Sequence, residues 1–240
     1  MTTIKGEETG LIEGYLKFFY DIPTPCPYGV GDIALYRQAQ FGFIDEPLIS
    51  AFIGAGFRRN GNSIYTMACL DCRQCRPIRL PVHKFAANRS QRRIMKKNSD
   101  VTISQTPFSV TYEKIRLLNT FFAARFSGRD NTAESYYGTF FANSITDTFE
   151  IEYRLADQLL GVAVVDRGSS WLNAVYFYFD PRFAARKPGI FNVLTLIEFC
   201  QHHDLDHLYL GYFIQPLPAM NYKGQFQPHE MLVEDKWRLS

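Results

Sequence analysis

Cys69, Cys72 and Cys75 stand at strict three-residue spacing, two overlapping C-x-x-C pairs, and Cys26 lies upstream in the proline-rich stretch "DIPTPCPYG". A tight C-x-x-C turn brings two sulfurs to one side, so these thiols can converge on one metal with Cys26 as the fourth ligand. Zinc and an iron–sulfur cluster both accept four thiolates, and the ligand set does not choose between them. The plainer alternative is a group of buried free thiols; regular spacing among charged neighbours favours the metal site. Cys200, on the apolar side of "GIFNVLTLIEFCQHH", reads as core. His202, His203 and His207 are loosely spaced at a helix end, where imidazoles complement the helix dipole.

A second chemistry follows the cysteines closely. From Arg73 to Lys97 the chain carries nine lysines and arginines and no acidic residue. Within that run, "RSQRRIMKKNSD" predicts a helix begun by Asn88 or Ser90 and ended near Asn98. It sets Arg89, Arg92, Arg93, Lys96 and Lys97 around one helix, with Ser90 and Gln91 as neutral donors. Phosphate backbones are contacted by this mixture, and the acidic partners that would neutralise an ordinary solvated face are missing. RNA fits better than duplex DNA, because no recognition helix follows a helix and tight turn, and exposed Tyr28 and Tyr65 can stack on unpaired bases.

"GAGFRRNG" begins like a dinucleotide-binding G-x-G-x-x-G, but Arg59 stands where the third glycine belongs and a predicted helix precedes it. A nicotinamide dinucleotide is therefore not expected. Arg58 and Arg59 can instead hold a carboxylate in bidentate geometry, or they are surface arginines.

These groups need elements to position them. "GLIEGYLKFFY" predicts a strand, "DEPLISAFIGAG" a short helix and "IRLPV" a strand. "VTISQTP" predicts another strand. From Ser109 the pattern becomes a long amphipathic helix, "TYEKIRLLNTFFAARF", then a loop at "SGRDN" and an aromatic segment, "AESYYGTFFANS". The strands "TFEIEYRLAD", "QLLGVAVVD" and "SSWLNAVYFYFD" follow, then the helix "GIFNVLTLIEFCQHH" and the strand "HLYLGYFI". This order is the one used by N-acetyltransferase-type acyltransferases. The expected fold is therefore α+β: a small N-terminal Cys-containing domain, residues 1–107, docked on a GNAT-like domain, residues 108–240.

With 240 residues, 46% of them hydrophobic, the chain can bury a substantial core. No stretch approaches the roughly 20 apolar residues of a membrane span, and the start lacks the order of a signal peptide, so a cytoplasmic place and a mobile first ten residues are expected. The net charge is only +2, so affinity for a polyanion rests on the local patch.

The sequence resembles the arginyl-tRNA–protein transferases and their short bacterial relatives, the aspartate/glutamate leucyltransferases. The resemblance lies in Cys26, Tyr28, Gly56 to Arg59, Gly61, Tyr65, Cys69, Cys72, Cys75, Arg89 to Arg93 and Asn98. It continues in "VYFYFDP" (Val175 to Pro181), "LYLGYFI" (Leu208 to Ile214), "MNYKGQFQP" (Met220 to Pro228), Glu230 and Trp237. Leu217 and Ala219 stand where the family usually has Cys and Lys, "TMA" replaces a proline before Cys69, and "KPG" replaces a Ser-Leu-Gly type run.

The resemblance implies an aminoacyl-tRNA–protein transferase of the leucine-adding bacterial branch, acting on proteins with N-terminal Asp or Glu and so marking them for degradation. The acceptor α-amine would attack the aminoacyl ester, with Tyr176, Tyr178, Tyr222 and Lys223 as candidate donors to the developing oxyanion. Arg58 or Arg59, or less directly Arg154, would hold the acceptor carboxylate, with Tyr65 beside them. Asp180 and Glu230 are possible linings of an acidic pocket, which leaves arginine open as the transferred residue. Two other readings stay open: a non-catalytic RNA-binding or redox-sensing protein, and a small-molecule N-acetyltransferase. Against the second, "RFAARKPGIFN" has only one glycine where acetyl-coenzyme A needs a glycine-rich pyrophosphate loop.

Overall fold

The computed structural model describes residues 7–126 and 131–240. Part of the expected N-terminal tail, and the "SGRDN" loop except its last residue, lie outside them. The chain is α+β. Its elements are α1 (Glu7–Leu16), β1 (Tyr20–Pro25), β2 (Ile33–Gln40), α2 (Glu46–Gly54), β3 (Arg58–Asn60), β4 (Ser63–Met67), β5 (Arg76–Pro81), α3 (Arg89–Lys97), β6 (Val101–Pro107) and α4 (Tyr112–Arg125). There follow α5 (Ala133–Ser135) with a π-helical stretch at Tyr136–Phe141, β7 (Asp147–Leu155), β8 (Gln158–Arg167), β9 (Trp171–Phe179), a 3-10 helix at Pro181–Arg186, α6 (Pro188–His202), β10 (His207–Phe213), α7 (Pro218–Asn221), a 3-10 turn at Tyr222–Gln225, β11 (Glu230–Val233) and β12 (Lys236–Leu239). No helix among the described residues is long and apolar enough to cross a membrane.

The chain forms two compact units, neither of them continuous in sequence. One takes the residues up to Leu80, Ser144–Thr146 and Tyr209–Ser240; the other takes Pro81–Asn143 and Asp147–Leu208. A cut at residue 107 coincides with neither: the basic helix α3 belongs to the second unit, and the chain from Tyr209 on returns to the first.

In the first unit an antiparallel sheet runs β1-β2-β4-β3, and β12, β11, β5 and β10 are neighbours in that order. The segment predicted as a strand at Gly10 to Tyr20 is mostly α1: Leu11, Ile12, Tyr15 and Leu16 have helical spacing, and only Tyr20 enters a strand. α2 starts at Asp45, whose carboxylate accepts from the Leu48 N–H at 3.2 Å. It buries Leu48, Ile49, Ala51, Phe52 and Ile53, and Phe52 meets the rings of Phe19, Phe41 and Phe57. Gly56 ends it at φ +85, where a Cβ would stand 2.5 Å from Leu232 and 2.9 Å from Pro77, so the turn into Arg58 requires glycine.

The second unit follows the predicted order of elements. β9, β8, β7 and β6 are antiparallel neighbours, and the β7–β8 hairpin turns at Ala156 and Asp157. Its core joins Leu117, Leu118, Phe121 and Phe122 of α4 to Tyr137, Phe141, Val162, Val164 and Tyr178.

Candidate active site

The short β3–β4 hairpin sets Arg58 opposite Tyr65. Neither Arg58 nor Arg59 is a surface arginine; they are 8% and 3% exposed. Opposite-charge or anionic company is the usual condition for burying a guanidinium. Gly211, in β10, has φ +78, and a Cβ built there would lie 3.3 Å from Arg58 Nη2 and 3.8 Å from Lys223 Nζ. The glycine therefore lets two cationic side chains come up to the backbone at one point. Lys223 is held by the turn after α7: its Nζ donates to the Tyr212 carbonyl at 2.8 Å and lies 3.7 Å from Met220 Sδ. Burial, and after it the charge of Arg58, lowers the Lys223 pKa to about 7.

Tyrosines surround these cations. The rings of Tyr36 and Tyr65 lie 5.4 Å apart, and Tyr28, Tyr65 and Tyr212 all feel the Arg58 charge. Burial pushes the pKa values of these four phenols upward, so they remain neutral hydroxyls. Tyr222, beside Lys223, is raised by burial as well. Tyr28 and Tyr65, expected to be exposed, are half-buried, because Tyr65 lies in a central strand flanked by β2 and β3.

The cysteine loop borders the same tyrosines. Cys75 is pushed up to about 12 by burial and by the neighbouring thiols Cys72, Cys69 and Cys26. Burial also raises Cys26, but backbone N–H groups of Tyr28, Val30, Gly31 and Gly29 outweigh it and leave this thiol lowered. Cys69 Sγ accepts from the Leu35 N–H at 3.5 Å. The donor chemistry of four thiols suits zinc or a cluster, and Cys26, Cys69 and Cys72 all lie near enough to Cys75 to act on its charge, although no three His, Cys, Asp or Glu side chains among the described residues form a metal-holding group. Cys200 is fully buried core, as expected. His202 and His203 are exposed, with each Nδ1 at the carbonyl four residues back, 2.7 and 2.9 Å away.

The remaining candidates have partners of their own. Glu230, opposite Arg79 across β5 and β11, takes its guanidinium at 2.6 Å; Arg79 also reaches the Tyr209 hydroxyl and stacks 4.3 Å from the Trp237 ring. In the second unit, Asp180 is bound to Arg182 at 2.6 Å and starts the 3-10 helix. Tyr176 packs among Phe121, Tyr136, Phe140 and Phe141. Tyr178 is fully buried, 2.5 Å from the Tyr137 hydroxyl, which donates to Glu150; Lys114 Nζ closes the network 2.5 Å from Glu150 and 3.1 Å from Glu152. Arg154 is spent on Glu113 and Glu152.

α3 shows its basic side chains to solvent: Arg89, Arg92, Arg93, Lys96 and Lys97 are exposed, and so is the neutral Ser90. Gln91 is turned inward, 2% exposed, and completes a capping box with Asn88, at 2.9 Å and 3.0 Å. Asn98, also buried, bonds back to the Ile94 carbonyl at 2.9 Å.

Gly211, with Tyr36 and Tyr212, is what the sequence reading missed at this site. A lone glycine inside the strand pattern "LYLGYF" was its signal, since such a glycine marks close approach by another group.

The family model described as "Arginine-tRNA-protein transferase, C terminus" matches residues 113–233, and the one described as "Arginine-tRNA-protein transferase, N terminus" matches residues 24–93. An aspartate/glutamate leucyltransferase of Paramagnetospirillum magneticum is 36% identical over 225 residues, covering 92% of this chain and 92% of its own. One of Saccharophagus degradans is 35% identical over 231 residues, covering 92% and 96%. Among solved structures, the C-terminal domain of a putative lysylphosphatidylglycerol synthetase from Agrobacterium fabrum shares the fold, with a TM-score of 0.51 at 10% identity over 97% of this chain and 85% of that one.

Proposed function

Because the chain belongs to the arginine-tRNA-protein transferase family, we propose that it moves leucine from leucyl-tRNA onto proteins beginning with Asp or Glu, marking them for degradation in the cytoplasm. The observation that carries this is the likeness, over nine-tenths of both chains, to relatives named aspartate/glutamate leucyltransferase. The fold is read as a GNAT-like acyltransferase domain carrying a docked cysteine-containing part.

The neutral α-amine of the acceptor attacks the ester carbonyl carbon of leucyl-tRNA. A C–N bond forms, the C–O bond to the terminal ribose breaks, and the amine proton passes to the departing ribose oxygen. An N-terminal amine has a pKa of about 7.7 to 8.0, so a useful fraction is already neutral. Positioning then matters more than a strong base. Arg58 and Lys223 receive the acceptor's Asp or Glu carboxylate across Gly211, and a bound carboxylate offsets the repulsion that Arg58 exerts on the Lys223 ammonium. The oxyanion that develops is left to tyrosine hydroxyls, with Tyr222, next to Lys223, as the first candidate. α3 holds the tRNA by its phosphates.

Leucine is favoured over arginine by the state of the two carboxylates considered for an acidic pocket. Glu230 is neutralised by Arg79 and Asp180 by Arg182, which leaves neither to attract a guanidinium. Zinc or an iron–sulfur cluster on Cys26, Cys69, Cys72 and Cys75 remains a proposal from donor chemistry, which metal analysis of the purified protein checks; no step above depends on it.

The test is transfer of labelled leucine, arginine or phenylalanine from charged tRNA to peptides that differ only in an initial Asp, Glu, Lys or Ala. Leucine entering the Asp and Glu peptides alone is expected. Arginine entering them instead would keep the family and overturn the donor, and no transfer from any tRNA would overturn the reading.

A further inference from the structure

The segment between β9 and α6 carries Arg182, Arg186 and Lys187, of which only Arg182 has a role above, as the partner of Asp180. It is fastened to the end of α3. Lys97 Nζ donates to the Ala185 carbonyl at 2.8 Å, Asn98 Nδ2 to the Arg186 carbonyl at 3.1 Å, and Arg186 Nη1 to the Lys97 carbonyl at 3.0 Å. Arg186 then grips both oxygens of Asp100, at 2.7 Å and 2.9 Å. The first carboxylate after α3 is thereby neutralised, as Asp180 is by Arg182. Two basic elements are thus held edge to edge with their nearest carboxylates already engaged. Arg89, Arg93, Lys96 and Lys187 are all exposed, and no carboxylate among the described residues is paired with any of them. Lys187 is also held at φ 55, ψ 52, a left-handed conformation that a lysine rarely adopts and a glycine takes freely. The chain keeps a cation where glycine would fit the backbone better.

Resting on the reading of α3 as the tRNA-binding helix, we infer that the tRNA surface extends from α3 onto the Arg182–Lys187 segment, with Lys187 as a further phosphate contact. A polyanion is the partner that such an arrangement fits: cations from two elements at a fixed separation can follow a charged backbone, and each phosphate neutralised releases counterions.

The experiment is the salt dependence of leucyl-tRNA binding by the full-length protein, wild type against Lys187→Gly, Lys187→Arg and the double variant Arg92→Ala with Arg93→Ala. Lys187→Gly relaxes the backbone while removing the charge, so it should fold normally, bind more weakly at low salt, and lower the slope of log K against log salt by about 0.7 to 0.9. Lys187→Arg should keep the wild-type slope. If Lys187→Gly keeps that slope while the α3 variant loses part of it, the extension is wrong and the α3 reading stands. If neither variant changes the slope, the α3 reading itself falls. Equal weakening by Lys187→Gly and Lys187→Arg would assign the residue a backbone role and overturn the phosphate contact.

Discussion

Lys223 and the acceptor amine make opposed demands on pH. Lys223 attracts a carboxylate only while protonated, and its pKa is lowered to about 7; the amine attacks only after losing its proton, near 7.7 to 8.0. The profile of kcat/KM for an Asp-initiated peptide should therefore be a bell centred between these values, and Lys223→Arg should carry its alkaline limb upward. Lys223→Met should cost about 10- to 100-fold in kcat/KM for Asp peptides and little for Ala peptides, as expected for a lost charge-assisted contact. Stability responds as well. Between pH 7 and the ordinary lysine value of 10.5 the unfolded chain holds the Lys223 proton and the folded protein does not, so wild-type stability rises with pH through that window, and the penalty is full below it. Thermal melts should show Lys223→Met gaining most over wild type near pH 6 and the gap closing toward pH 10; a constant gap would mean that Lys223 does not titrate near 7. Gly211→Ala places a methyl group against both cations at a positive φ, and should cost about 1 kcal/mol or more of stability while raising KM for acidic peptides more than for neutral ones.

Elements show how far the sequence could be read. α3 was legible as a basic helix, but its start was left between Asn88 and Ser90 and Gln91 was read as a phosphate donor, whereas Asn88 and Gln91 close a capping box. Asn88→Ala should cost about 1 kcal/mol and weaken tRNA binding while leaving its salt slope intact, which separates positioning from charge. The strands and helices of the second unit were legible because their apolar periods are long and regular. α1 was not: its apolar pairs have helical spacing, but the aromatic run Phe18 to Tyr20 that follows resembles a strand. Charge pairing was the other gap. Nothing local says that Glu230 belongs to Arg79, 151 positions earlier, or that Lys114 meets Glu150 and Glu152 inside the second unit. Glu150→Ala should destabilise by about 3 kcal/mol, because it leaves the buried Lys114 ammonium with Glu152 alone as counter-charge and takes the acceptor from the Tyr137 hydroxyl. Tyr137→Phe, which removes one hydroxyl from the same network, should cost about 1 to 2 kcal/mol.

At the scale of the molecule, each unit is assembled from distant stretches of chain. The first joins residues before Leu80 to those from Tyr209 on, and Trp237 fastens one end to the other by donating to the Gly54 carbonyl at 2.7 Å. Contacts of such sequence separation form late, because loop closure must precede them. The second unit has all of its chain by Leu208, including α3 and the segment that ends at Lys187. In chain order, α3 and the segment ending at Lys187 precede Leu208, whereas Gly211 and Lys223, which complete the surroundings of Arg58, follow it. On the proposed reading of α3 and Lys223, a polypeptide stopped short in its last stretch would keep the basic face and lack the proposed acceptor site, so it should compete with the intact protein for charged tRNA and return nothing.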